Sequence, residues 1–400
     1  MLGLVSLLTD LSSEMIYPLL PLYLSTVLGA SAVSLGLIEG VAESTASFVK
    51  VYSGNRSDRS GRRKPLVVAG YSLSNLIRPL IGLATAWPMV LGLRFVDRIG
   101  KGLRNSPRDA LIADVTPAAL RGHAYGLRQA MDHMGAVLGP LVAALLLSGA
   151  GLSMRTVFLL SIVPGVLVVL AVTLGVREPA PGPARAATPP DGAAPTTTPS
   201  PITLLGAWGG FSPGFRRYLG VMALFTLGNS TDAFLLIQLN RQGLPPPWVA
   251  TLWAAFHVVK VVSTMGLARL SDRIGRRPLL LAGWGIYALV YLGFATMTDL
   301  GALVAIFLAY GIYFGCAEAT QQAWVADLVP GQLRGSAFGY FHGAVGLTAL
   351  PASLLFGALL DRLGAGAAFG TGAALALLAA ALLFTIPRGD AAQPDAAPAR

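Results

Sequence analysis

Charge is scarce in this 400-residue chain: only 12% of residues are Asp, Glu, Lys or Arg, against 54% hydrophobic, and the mean hydropathy is +0.65. A soluble domain carries roughly 25% charge, so a soluble globular protein is excluded and most of the chain belongs in lipid. Cysteine is nearly missing. The lone Cys316 excludes an internal disulfide, and no Cys-x-x-Cys pair exists to hold zinc. We read Cys316 as a small packing residue, and the shortage of thiols and imidazoles weighs against a dedicated soft-metal site. A nucleotide loop is missing too. At Gly100-Lys101 the first-glycine position is held by Phe95 and the Ser/Thr position by Gly102, so ATP hydrolysis has no support. No enzymatic activity and no cofactor are expected.

What is present is a succession of apolar stretches of about 20 residues, the length that crosses a bilayer as a helix. They run near 3–27, 34–54, 65–85, 87–114, 122–148, 155–176, 217–240, 247–269, 278–297, 301–326, 335–360 and 366–386. The fold class expected is an all-α membrane protein of about twelve transmembrane helices. The first stretch has no separate cleavage site, and its Asp10 and Glu14 do not suit the core of a signal peptide, so it is read as a retained helix. The net charge of +10 raises nucleic acid as a partner. Yet the cations fall in alternate loops, Arg56 to Lys64, Arg121, Arg177, Arg216 and Arg217, Arg269 to Arg277, Arg334 and Arg388, which is the positive-inside pattern. The expected setting is a bacterial-type cytoplasmic (inner) membrane with both termini in the cytoplasm, and no nucleic-acid partner.

The chain is duplicated. Asp58 and Gly61 recur 214 residues on as Asp272 and Gly275, and Gly70 recurs 213 residues on as Gly283. Asp114, Pro117, Leu120, Arg121, Gly122 and Gly126 recur at an offset of 213 as Asp327, Pro330, Leu333, Arg334, Gly335 and Gly339. Between the copies, Glu178 to about Ile202 is rich in Pro, Ala, Thr and Gly, a composition that does not fold alone. The organisation expected is a six-helix bundle at 1–176, a cytoplasmic linker at 177–216, a second six-helix bundle at 217–386 and a disordered cytoplasmic tail at 387–400. Parallel halves of this kind place a substrate site between them at mid-membrane.

Gly54, Asp58, Arg59, Gly61, Arg62, Arg63 and Lys64 resemble the loop between helices two and three of the major facilitator superfamily. Because the pattern recurs in both halves, the chain is identified as a member over all but its linker and tail. The resemblance implies alternating access and a cytoplasmic gate made of Asp58, Arg59, Arg62, Asp114, Asp272, Arg273, Arg276 and Asp327. Within that gate Asp58 would meet the helix N-terminus at Gly335 and Ser336, and Asp272 that at Gly122, where backbone N–H groups and the helix dipole favour an anion. Arg62 would pair with Asp114 and Arg276 with Asp327. The plainer alternative is a hinge that anchors topology by positive charge alone. In the fifth stretch, Gly126, Gly135, Gly139, Pro140, Ala143 and Ala144 resemble the superfamily's antiporter signature, with alanines where it usually ends in two glycines. Here the alternative is ordinary close packing of small residues.

The fourth stretch is the most charged, with Arg94, Asp97, Arg98, Lys101, Arg104, Asn105, Arg108 and Asp109 at helical spacing. Each centrally buried charge costs about 2.5–3.5 kcal/mol on insertion scales, so these groups must pair, face water or lie near a mouth. Arg98 to Gly102 resembles the family's fourth-helix Arg-x-x-x-Gly motif, linked there to proton transfer, with Lys101 where glutamine is common. Asp10, Glu14 and Asp132 are the candidate proton or cation sites, with Arg98 as their conformational partner. Lys101 and Arg104 either meet an anionic substrate or neutralise acids. His133, Asp232 and Glu318 are further cavity candidates, beside Glu39, Glu43, His257, Lys260 and His342. The rival view is a static salt-bridge network.

These residues point to a secondary active transporter working by alternating access, a proton-coupled antiporter that exports a small solute or drug. Its partners would be that solute or ion, a coupling proton and the bilayer, with the chain acting as a monomer. Three alternatives stand beside it. One is efflux of a divalent metal ion such as nickel, since the stretch Asp10 to Pro18 resembles some bacterial metal-resistance exporters. Another is a proton-coupled importer of organic anions. The third is a non-transporting membrane receptor or scaffold.

Overall fold

In the computed structural model the described residues form helices joined by short connections, with no strand among them. These are residues 1–60, 63–116, 121–176, 208–329 and 333–386, with only the backbone described at 51, 55, 58–60, 113–114, 121–126, 268–269, 271–272 and 334–336. The first half comprises α1 over 2–27, α2 at Ala32–Ser60, α3 at Lys64–Leu83, α4 at Trp87–Val115, α5 at Arg121–Ser148 and α6 at Met154–Gly175. The second comprises α7 at Pro213–Arg241, α8 at Pro246–Ile274, α9 at Arg276–Thr296, α10 at Leu300–Asp327, α11 over 334–363 and α12 over 365–385.

Nine helices among the described residues are long and apolar enough to cross a membrane, and one of these, Ala337–Thr385, holds two spans that meet at Gly364, φ 83°. The two spans outside that set are α1, whose helix breaks after Glu14, and α4, with its row of charges. Twelve spans result.

Local sequence explains the interruptions. In α1, Pro18 and Pro21 supply no N–H to the helix ladder, and the chain turns between Leu2–Glu14 and Leu20–Leu22 before a π-helical end at Tyr23–Val27. In α7 the helix stops at Gly228 and resumes at Ala233. The carbonyl freed there is answered by the Tyr287 hydroxyl, 2.8 Å from Gly228 O, as a broken helix inside lipid requires. Both hinges are shorter than a loop reading suggests: α2 runs on to Ser60 and α8 to Ile274, leaving Gly275 at φ 89° to turn the chain into α9. The seventh helix starts at Pro213, four residues before the expected boundary, because Ser212 caps it by accepting from Phe215 N at 3.2 Å.

The packing follows the duplication. In the first half α1 lies on α5, α2 on α4, α3 on α4 and α6, and α6 on α1. In the second, α8 lies on α10, α9 on α10 and the last helix pair, and that pair on α7. The halves meet along α2 with α11 and α5 with α8. On the face opposite the hinges they are drawn together. Asp361 at the end of α11 accepts from Ala32 N and Val33 N at the start of α2, both at 2.9 Å, and deeper along the same seam the Ser44 hydroxyl donates to Gly346 O at 2.7 Å.

Candidate functional site

A cavity of about 580 Å³ lies between the two halves, and the charged residues singled out in α1 and α4 open onto it. Its two walls differ in chemistry. The first-half wall is ionic. Arg94 donates through Nη2 to both oxygens of Glu39, at 2.7 and 2.8 Å, and its Nη1 lies 3.6 Å from Asp97. Arg78 donates to Asp97 Oδ1 at 2.9 Å, and Arg98 lies 3.8 Å from Oδ2. Asp97 is 1% exposed, so a buried carboxylate binds α3 and α4 together while Glu39 ties in α2. Three arginines surround it, one at hydrogen-bond distance and two at 3.6 and 3.8 Å, and opposite charge this close helps to offset the cost of burial.

The second-half wall is aromatic. Among the rings that line it, Tyr310 stacks on Tyr313 at 5.5 Å, and Phe225 stacks at 4.2 Å on Trp284 of the core behind, where Tyr287 stacks on Tyr291 at 4.2 Å. Offset contacts of this kind favour a fixed cluster beyond simple burial. The acids that touch this wall are held by neutral donors. Tyr310 donates its hydroxyl to Asp232 Oδ1 at 2.9 Å, and Trp253 Nε1 donates to Glu14 Oε2 at 2.8 Å. The second of these bonds joins the halves.

Asp10 and Glu14 sit one turn apart on α1, and two glycines of α5 sit one turn apart against them. A Cβ at Gly135 would lie 2.4 Å from Leu7 O and 2.9 Å from Asp10 Cβ; one at Gly139 would lie 2.7 Å from Leu11 O and 2.9 Å from Glu14 Cβ. Only glycine permits so close an approach, so the antiporter-like residues of α5 hold the acid-bearing turn of α1. Pro140 follows Gly139 in the helix and is buried.

The remaining predicted residues fall as follows. Lys101 and Arg104 line the cavity. Asp132 is held by Arg128 one turn earlier on α5, and the half-buried His133 lies within electrostatic reach of Lys260. Lys260 pairs with the exposed Glu318 at 3.5 Å and lies 4.1 Å from the Phe314 ring centroid. At the hinge face Arg276 Nε donates to Asp327 Oδ2 at 3.0 Å, the pair named from the duplicated motif, while Arg273 is exposed. Asp58, Arg59, Arg62, Asp114, Asp272 and Gly126 lie outside the described side chains, as do the expected contacts at Gly122, Gly335 and Ser336. Among the described residues no three His, Cys, Asp or Glu side chains converge as a metal site. Reading the sequence missed Arg78, Trp253, Tyr310 and Asp361. Arg78 carried a signal, as a lone cation in an otherwise apolar span; the other three carried none.

Two six-helix bundles around a polar central cavity are the architecture of a membrane transporter. The Major Facilitator Superfamily model matches residues 2–259 and 221–400, and the chain belongs to that superfamily. It is 31% identical to an uncharacterized MFS-type transporter of Methanocaldococcus jannaschii, over 96% of this chain and 94% of that one. It is 24% identical to the multidrug resistance protein MdtH of Photorhabdus laumondii, over 92% of this chain and 86% of that protein. Among solved structures, the nucleoside transporter NupG superposes with a TM-score of 0.79 at 12% identity, over 96% of this chain and 98% of that one; at that identity the likeness is one of fold. The protein is a multi-pass MFS transporter.

Proposed function

We propose that this transporter exports a small solute from the cytoplasm in exchange for protons. The observation that carries the reading is the joint between α1 and α5: the residues resembling an antiporter signature, Gly135 and Gly139, seat the turn that presents Asp10 and Glu14 to the cavity. An acid inside a membrane span is a site for ion passage by default. Glu14 also bridges to Trp253 of the other half, so a change in its charge bears directly on whether the halves hold together. The likeness to MdtH supports efflux in the same direction.

In this reading the hinge face is cytoplasmic, on the positive-inside rule, and the connection between the halves that ends at Ser212 lies on that side, as does the C-terminal tail. The Asp361 cap and the Ser44 contact close the far side, which leaves the cavity to exchange with the cytoplasm. Arg276 with Asp327, already paired here, and their counterparts in the first hinge belong to the gate on the cytoplasmic face. Transport into inverted vesicles tests the reading, with and without an imposed pH gradient, using lipophilic cations, organic anions and divalent metals as cargo. Accumulation of one class that collapses with the gradient is expected. If the gradient alters the flux of none of them, proton exchange is wrong.

A further inference from the structure

The central cavity has a side arm. A second cavity of about 190 Å³ reaches into the first half and shares Asp10, Lys101 and Arg104 with the first. Arg104 is 5% exposed, lies 4.7 Å from the Tyr71 ring centroid, and has two guanidinium nitrogens, Nε and Nη1, with no hydrogen-bond partner. Ser6, on the same arm, has a buried hydroxyl that is likewise without a partner. Each neighbouring cation has an acid within 4.0 Å, Arg78 and Arg98 with Asp97, Arg94 with Glu39, Arg108 with Asp109 and Arg128 with Asp132, and Arg94, Arg98 and Arg128 leave only Nε unmatched. Among the described residues Lys101 and Arg104 alone of the α4 cations have no ion pair. They are also the two cations that both cavities share, together with Asp10.

A buried donor group left unmatched calls for an occupant. A guanidinium offers parallel N–H bonds in the geometry of a carboxylate or phosphate, and the aromatic ring beneath this one fixes its plane. We propose that the side arm is an oxyanion subsite and that the exported solute is an amphiphilic organic anion. Its carboxylate, phosphate or sulfonate head meets Arg104, Lys101 and Ser6. Its apolar body lies in the central cavity against the wall that carries Trp253, Phe256, Tyr310 and Phe314. The inference rests on the export reading only for the direction of travel. An inside-negative potential expels an anion and draws in a proton, so both legs of such an exchange are favoured.

Binding to the purified full-length protein tests the subsite without any gradient. Three probes of one shape are titrated by calorimetry: 1-naphthoate, the neutral 1-naphthalenemethanol, and 1-naphthylmethylammonium. Naphthoate is expected to bind at least about tenfold more tightly than the alcohol, as charge-assisted hydrogen bonds imply, and inorganic sulfate is expected to compete with it. Arg104→Gln should remove that preference while leaving alcohol binding and the unliganded Tm unchanged. Arg104→Lys should keep part of it, and Lys101→Gln should lose less than Arg104→Gln. Failure of naphthoate to bind, equal binding of acid and alcohol, no competition by sulfate, or equal loss of both ligands in Arg104→Gln overturns the subsite. If Arg104→Gln does not fold, Lys101→Gln and Ser6→Ala decide by the same acid-to-alcohol ratio. Naphthoate binding without gradient-driven flux would sink the export reading and leave the subsite standing; flux of the ammonium alone would do the reverse.

Discussion

The two walls of the cavity manage buried polarity in opposite ways. On the first-half side, Asp97 is surrounded by Arg78, Arg94 and Arg98, so each charge depends on others on its own or the neighbouring span. On the second-half side, Asp232 accepts a single bond from a tyrosine within a field of stacked rings. An ionic network has few geometries in which every member is satisfied, so it fixes α2, α3 and α4 as one body. An aromatic wall presents broad faces to many shapes. The first wall therefore suits a rigid, discriminating function and the second an adaptable one.

The most severe way to break this comparison is Asp97→Asn. It leaves three buried arginines without their shared acid and should cost about 3–5 kcal/mol, read as a large fall in Tm of the purified protein. A loss no greater than that of an ordinary surface change would show that water, and not Asp97, satisfies the arginines. Next comes Gly139→Ala at the joint between α1 and α5. Its new methyl meets Leu11 O at 2.7 Å and Glu14 Cβ at 2.9 Å, a clash worth about 1–3 kcal/mol. Gradient-driven export should fall more steeply than stability, because the displaced turn carries Glu14. Equal falls in both would reduce the glycine to packing.

On the aromatic wall, Trp253→Phe and Tyr310→Phe each delete one hydrogen bond to a carboxylate; Tyr310→Phe keeps the ring and Trp253→Phe keeps a smaller aromatic one. The expected cost is about 1–3 kcal/mol in each case, below that of Asp97→Asn. Only Trp253→Phe should also alter the balance between open and closed halves, since its bond to Glu14 crosses between them. The smallest effect belongs to Asp361→Ala, which removes the anion from the α2 N-terminus. At about 1 kcal/mol the closed far side loses roughly fivefold in population. A cysteine introduced by Ala30→Cys should then react faster with an impermeant maleimide. An unchanged rate would mean that the cap has no bearing on the state of the transporter.

Much of the fold was legible before any coordinates. Apolar stretches set the spans because a helix in lipid satisfies its own backbone, and the repeated hinge set the two halves. Even the hinge pair Arg276 and Asp327 was implied by the family resemblance, and the structure holds them at 3.0 Å. The site was legible only as an inventory. Asp10, Glu14, Lys101 and Arg104 were named, but nothing in the chain said that Lys101 and Arg104 have no ion pair or that Gly135 and Gly139 stand under the two acids.

The sequence by itself determined what is local: which stretches lie in lipid, which loops carry positive charge, where proline and glycine interrupt a helix, and which residue types bring charge into the membrane. Tertiary structure alone decided which charges are answered. Arg78 meets Asp97 from 19 residues away, Arg94 meets Glu39 from 55, Trp253 meets Glu14 from 239, and Asp361 caps Ala32 from 329. The physical reason is that a buried ion pair depends on distances of a few ångströms between helix faces. Those are fixed by how helices rotate and pack against each other, and rotation and packing sum over contacts from the whole chain.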